Sequence, residues 1–167
     1  MFRNDPFWRY GRAVRRSAGT RTFLDVIRSG FSGPTPESIA ADHAALERGD
    51  ELVVSCFLRG PAPPYPGRPK QGQLELRKGQ VRWRASGFRP SSIPIDADMR
   101  SLDVRDVART DANVKRGGKV FGILPIPEFK VVVAETDRGV LEFFVPSPDV
   151  PLVASALEGG RARASGR

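Results

Sequence analysis

Hydrophobic and polar positions alternate most cleanly between Gly72 and Ser86. Leu74 and Leu76 alternate with Gln73, Glu75 and Arg77; after Lys78-Gly79, Val81, Trp83 and Ala85 alternate with Arg82, Arg84 and Ser86. A period of two is that of a half-buried strand. A hairpin closed at Lys78-Gly79 sets Leu76 opposite Val81, Leu74 opposite Trp83, Glu75 opposite Arg82 and Gln73 opposite Arg84. One face is then apolar and the other polar, with an opposite-charge pair on it. Lysine is not favoured at a left-handed turn position, so a longer loop is also compatible with this pairing.

The same pattern predicts further strands. Leu52–Leu58 is apolar and β-rich, and Ser92–Asp96 and Leu102–Ala108 read as short strands. Lys115-Arg116-Gly117-Gly118-Lys119 reads as a basic loop or hairpin tip, with Val120–Leu124 as the strand leaving it. Phe129–Thr136 and Val140–Val145 form a second hairpin around Asp137-Arg138-Gly139. A three-residue turn with its glycine left-handed pairs Thr136 with Val140, Val133 with Phe143 and Val131 with Val145. That register turns Phe129, Val131, Val133, Leu141, Phe143 and Val145 to the core. The opposite face keeps Val132, Ala134, Val140 and Phe144, for which the N-terminal helices are the expected cover.

Helical signals flank the strands. Residues 1–20 mix aromatics with Arg and Gly without a period, and Thr22–Ser29 can form a short helix with Phe23, Leu24, Val26 and Ile27 on one face. A better-signalled helix follows: Thr35 can cap it, Pro36 suits its first position, Glu37 favours the positive end of its dipole and Gly49 stops it. Ile39, His43 and Leu46 share a face there. A last helix runs from about Val150 to Glu158, with Asp149 as cap, Gly159-Gly160 as terminator, and Val150, Leu152, Val153, Ala156 and Leu157 on its apolar side. Between the first two strands, the prolines of residues 60–69 bar both helix and central strand. That stretch reads as a stiff loop more readily than as a polyproline ligand.

These elements predict a mainly β (α+β) domain over residues 50–158. A basic, helical N-terminal extension covers 1–49, and a disordered basic tail covers 159–167. About seven short strands closed by an amphipathic C-terminal helix resemble the pleckstrin-homology-like (PH-like) superfold, which includes GRAM domains. The Gly72–Trp83 stretch is similar to the opening strands of GRAM-type domains. Phe129–Leu157 is similar to the end of an uncharacterised actinobacterial family of membrane-tethered PH-like proteins. The resemblance implies a partly open barrel of antiparallel strands with its final helix plugging one end, and a binding role. That family begins with a transmembrane helix, for which no segment here is apolar enough, so tethering is not carried over.

Composition narrows the chemistry. The chain has 167 residues and a net charge of +8, with one histidine and one cysteine. A single cysteine, Cys56, excludes an internal disulfide and a Cys-rich zinc site, and its apolar neighbours predict a buried, inert thiol. Lone His43 reads as a packing residue, because imidazole chemistry needs partners. Asp96-Ala97-Asp98 lacks the glycine and later glutamate of a calcium loop and reads as a solvated turn. Gly117-Gly118-Lys119 lacks the frame of a phosphate loop, although its backbone can form an anion-binding nest. The apolar runs are far shorter than the roughly 20 residues of a membrane span. Arg15-Arg16 is not followed by a signal-type apolar region. The expectation is a cytoplasmic protein, at most peripheral at a membrane, with no enzymatic activity, cofactor or metal.

Two function classes remain. The first is a PH-like module that recognises a protein partner or an anionic membrane surface. Arg77, Arg82 and Arg84 on the polar face of the first hairpin are its candidate contacts, and Lys115, Arg116 and Lys119 a possible second wall. The alternative is a nucleic-acid-binding β-barrel stacking bases on Trp83, Phe88 and Phe121, although Trp83 falls on the apolar face of its hairpin.

Overall fold

A computed structural model describes residues 36–86, 92–111, 114, 118–120, 124–126 and 128–164. Helix α1 (Pro36–Glu47) precedes β1 (Leu52–Arg59), β2 (Lys70–Arg77), β3 (Gln80–Ala85), β4 (Ser92–Pro94) and β5 (Met99–Asp106). Two short strands follow, β6 (Gly118–Val120) and β7 (Leu124–Ile126). After β8 (Phe129–Thr136) and β9 (Gly139–Pro146), a 3-10 turn at Ser147–Asp149 leads into α2 (Val150–Ala164). The expected helix Thr22–Ser29, the aromatics of residues 1–20, and Phe88 and Phe121 lie outside the described residues.

Seven strands form one antiparallel sheet in the order β4-β3-β2-β1-β9-β8-β5, and β6 pairs with β7 apart from it. The sheet does not close. It is the expected class: mainly β, a partly open PH-like barrel with a C-terminal helix and a helix before β1. Strand β1 joins the two halves. Seven of its residues pair with β2, but only Phe57, Leu58 and Arg59 pair with β9. The halves therefore share only the end of one strand, and α2 fills the opening between them. Its Leu152, Val153, Ala156 and Leu157 join Leu52, Val54, Leu58, Leu74, Trp83, Phe143 and others in the main core. Ala45 and Leu46 of α1 enter the same core, whereas Ile39 and His43 are half-buried.

The first hairpin has the register its alternation predicts. Leu76 pairs with Val81, Leu74 with Trp83, Glu75 with Arg82 and Gln73 with Arg84, around a two-residue turn at Lys78-Gly79. Trp83 is 1% exposed. Its indole lies so close to Gly72 that a Cβ added there would sit 2.6 Å from Nε1 and 2.4 Å from the Arg84 carbonyl oxygen. Because one of these obstacles is backbone, Gly72→Ala is expected to destabilise the fold by about 1–3 kcal/mol, the usual range for overpacking. Chemical denaturation checks this, and an unchanged midpoint contradicts it.

The second hairpin departs from expectation by one residue. Thr136 pairs with Gly139 across the two-residue turn Asp137-Arg138, so Val132 faces Phe143 and Val131 faces Phe144. The Thr136 Oγ1 hydroxyl donates to the Gly139 carbonyl (2.6 Å) and accepts from the Arg138 N–H (3.1 Å). Gly139 takes φ 113°, and a Cβ there would also meet Pro61 at 2.7 Å. A one-residue slip exchanges the two faces. Val132 and Ala134, not Val131 and Val133, line the main core. Val131, Val133, Phe129 and Phe144 belong to a second core on the outside of the sheet, with Phe57 against it. Its described cover is Val107 and Val114, from the connection after β5, rather than α1.

Other boundaries differ: β4 ends at Pro94 rather than Asp96, and β5 runs Met99–Asp106 rather than Leu102–Ala108. Helix α2 continues through Gly159-Gly160 to Ala164, so the expected disordered tail does not begin at 159. Val120–Leu124 is not one strand: Val120 ends β6, and Leu124 opens its partner β7.

Candidate functional site

Arg77, Arg82 and Arg84 are brought together on the outer face of β2 and β3, because alternation puts every apolar residue of that hairpin inside. The face is of mixed sign. Arg77 Nε and Nη2 donate to Glu51 Oε2 at 2.9 and 2.6 Å. Arg84 Nη2 donates to Gln73 Oε1 at 2.9 Å, and its Nε lies 3.3 Å from Glu75 Oε1. The ion pair of Glu75 thus runs diagonally to Arg84, although Arg82 is its direct cross-strand neighbour. Arg82 donates instead to Ser92 Oγ on β4 at 3.3 Å, and it has no carboxylate partner among the described residues. Glu51, Glu75, Arg77, Gln80 and Arg82 line a groove of about 200 Å³ on this face.

Of the expected second wall, only Lys119 is among the described residues. Lys115 and Arg116 lie outside the described residues, and Lys119 belongs to β6, in the separate two-stranded sheet. Gly118 opens that strand, paired with Ile126, and so is part of a ladder rather than a loop tip.

The other sequence candidates have structural surroundings. Asp96 faces Arg138 Nη1 at 3.5 Å, and Asp98 is joined to the β8–β9 turn by its N–H to Asp137 Oδ1 (3.0 Å). No group of three or more metal-ligating side chains occurs among the described residues. Cys56 is buried in the main core, where desolvation pushes its thiol well above the ordinary range. Residues 60–69 form a folded loop. Gly60 N–H bonds the Pro66 carbonyl (2.8 Å), Tyr65 N–H bonds that of Ala62 (3.0 Å), and the Tyr65 ring is buried. A loop folded on itself in this way is a connection rather than an extended polyproline helix, although Pro61, Pro63 and Pro64 are exposed. No helix among the described residues is long and apolar enough to cross a membrane.

One charged cluster escaped the sequence reading. Arg59, at the end of β1, bonds Glu142 on β9 and reaches Asp111 with Nη1 at 2.6 Å and Nη2 at 3.4 Å. Its guanidinium stands 5.4 Å over the Phe144 ring. Asp111 is 5% exposed. The bond to Glu142, opposed by burial and reinforced by Asp111, holds the guanidinium pKa above its ordinary value. The three residues are dispersed along the chain, and only the β1–β9 pairing places Arg59 beside Glu142. The cluster pins the segment after β5 over the second core. Both carboxylates take their contact from the one Arg59 guanidinium within the cluster, which gives it a structural role.

Compared with protein-family models and with curated proteins, the chain matches none.

Proposed function

We propose that this protein is a non-enzymatic, PH-like binding module whose outer β2–β3 face takes a protein partner through a carboxylate. The observation that carries this reading is the state of Arg82. It is exposed at the rim of a groove whose other arginine is already neutralised, and its described partner is one hydroxyl at 3.3 Å. A planar guanidinium in that state suits bidentate capture of a carboxylate. The neighbouring exposed pair Arg77–Glu51 is weak enough to rearrange around an incoming side chain.

Charge balance favours a protein over the other polyanions. Arg77, Arg82 and Arg84 face Glu51 and Glu75, which leaves this cluster one net positive charge. Attraction to an anionic membrane grows with each uncompensated basic residue, and nucleic-acid affinity grows with each phosphate neutralised. A face with one uncompensated arginine is poorly matched to either. Trp83, offered by sequence as a stacking platform, stands inside the core, where no base can reach it.

The test compares an oligoglutamate peptide, phosphatidylserine-containing vesicles and a random single-stranded oligonucleotide at near-physiological ionic strength. The peptide is expected to be held. Arg82→Glu is expected to weaken it at least about tenfold, as for the loss of one charge-assisted contact, with the fold intact by circular dichroism. Retention of vesicles or of the oligonucleotide, with no peptide bound, overturns the protein-partner reading in favour of that ligand class. Binding of none of the three overturns it as well.

A further inference from the structure

The two edges of the sheet are unequal. β4 has three residues, whereas β5 is a full eight-residue strand whose second side has no partner strand among the described residues. The edge of β5 can be read residue by residue. The Val104 N–H donates to Asp103 Oδ1 at 2.9 Å rather than to β8. In an antiparallel strand the N–H and C=O of one residue point to the same side, and successive residues alternate. Val104 therefore turns its backbone groups to the open edge, as do Leu102 and Asp106, while Asp103 and Arg105 turn theirs to β8. The Val104 side chain is 48% exposed, one of two large apolar side chains so exposed among the described residues.

We propose that β5 is a self-pairing edge, joining two copies of this chain by an antiparallel β5–β5 contact centred on Val104. In that register Val104 meets Val104 of the second copy and the two exchange backbone hydrogen bonds. Asp103 falls opposite Arg105, and Arg105 opposite Asp103. These are non-hydrogen-bonded positions, where side chains approach most closely. Leu102 falls opposite Asp106, whose carboxylate is already bound by Lys130 of its own chain. Arg105 Nε already holds Asp103 Oδ2 at 3.0 Å on the same face, so pairing joins two such couples into a ring of four alternating charges.

The charges select this register among the neighbouring ones. Centring the contact on Asp103 sets that carboxylate against itself, and centring it on Arg105 does the same with a guanidinium. Charge on an exposed edge commonly serves to prevent pairing. A guard of one sign would repel a second copy in every register, whereas the Asp103-Val104-Arg105 order is complementary to itself in one. Pairing displaces the bond from the Val104 N–H to Asp103, and the Val104 carbonyl of the second copy replaces it. A single strand pair is a small interface, so the dimer forms at high protein concentration rather than being obligate.

Sedimentation velocity on the full chain over a concentration series tests this. The unaltered protein is expected to shift from monomer to dimer as concentration rises. Asp103→Arg alone and Arg105→Asp alone each place like charges opposite one another twice. Each is expected to raise the dissociation constant at least about tenfold while circular dichroism stays unchanged. In an equal mixture, the first variant brings a positive charge at both positions and the second a negative charge at both. Every pairing across the contact is then of opposite sign, and the two variants are expected to associate with each other. Recovery on mixing cannot come from a folding defect in either variant. A protein that stays monomeric throughout the series, a dimer indifferent to both substitutions, or a mixture that remains monomeric overturns the proposal. None of these outcomes bears on the Arg82 groove, which lies on other strands.

Discussion

Leu157→Ala is expected to lower the unfolding free energy by about 2–5 kcal/mol, the range for truncating a buried leucine where surroundings cannot collapse. Leu157 is fully buried on α2, with Leu152, Val153 and Ala156 beside it in the main core. The site has little freedom to close around a cavity. On one side stand strands held in a ladder from β4 to β5, and on the other a helix that also contacts α1. The loss should appear as a lower denaturation midpoint with an unchanged slope. Exposed Glu158, replaced by alanine, serves as the control and should leave the midpoint nearly unmoved. If Leu157→Ala leaves the midpoint in place, α2 is not the plug of the open barrel.

Arg59→Met is expected to destabilise the protein by about 3 kcal/mol, the lower end of the range for removing one partner of a buried ion pair. Methionine keeps part of the aliphatic stem near Phe144 and removes the charge, which leaves the buried Asp111 carboxylate without its guanidinium. The lower end applies because the Arg59 side chain retains about a third of its exposure, so water screens part of the pair. Adding Asp111→Asn to Arg59→Met should recover a good part of the loss, since the stranded charge is then gone. A double-mutant cycle reads that coupling directly. Simple additivity of the two substitutions would mean that Asp111 does not depend on Arg59.

The contrast between the two hairpins explains what the sequence made legible. Leu74, Leu76, Val81 and Trp83 alternate with charged or amide residues, so one register alone separates core from solvent, and that register is observed. Phe129–Thr136 has no such contrast: Val131, Val132, Val133 and Ala134 are all buried, because that strand lies between two cores. A strand apolar on both faces does not identify its inner one. Turn chemistry then had to decide, and a left-handed glycine fits a three-residue turn as readily as the paired position that Gly139 occupies. The end of α2 failed for a related reason. Glycine disfavours a helix by only about 1 kcal/mol relative to alanine, so Gly159-Gly160 reduces helical preference without forbidding the helix that runs to Ala164.

The candidate site was legible to the same degree. Alternation was enough to place Arg77, Arg82 and Arg84 on one outer face. It could not reveal that Arg77 is neutralised by Glu51, because that contact depends on the β1–β2 register, nor that Glu75 selects the diagonal Arg84. Arg59, Glu142 and Asp111 left no local signal at all. Their association is a consequence of which strands become neighbours.

In the proposed function, the β2–β3 face holds a carboxylate-bearing partner through Arg82. The most direct measurement follows backbone amide chemical shifts of this 167-residue chain during titration with the oligoglutamate peptide. The largest changes are expected on Gln73, Glu75, Arg82, Arg84 and Ser92, and Arg82→Glu is expected to remove them. Changes concentrated instead at the Asp137-Arg138 turn, along α2, or on residues 115–119 would contradict the proposed function.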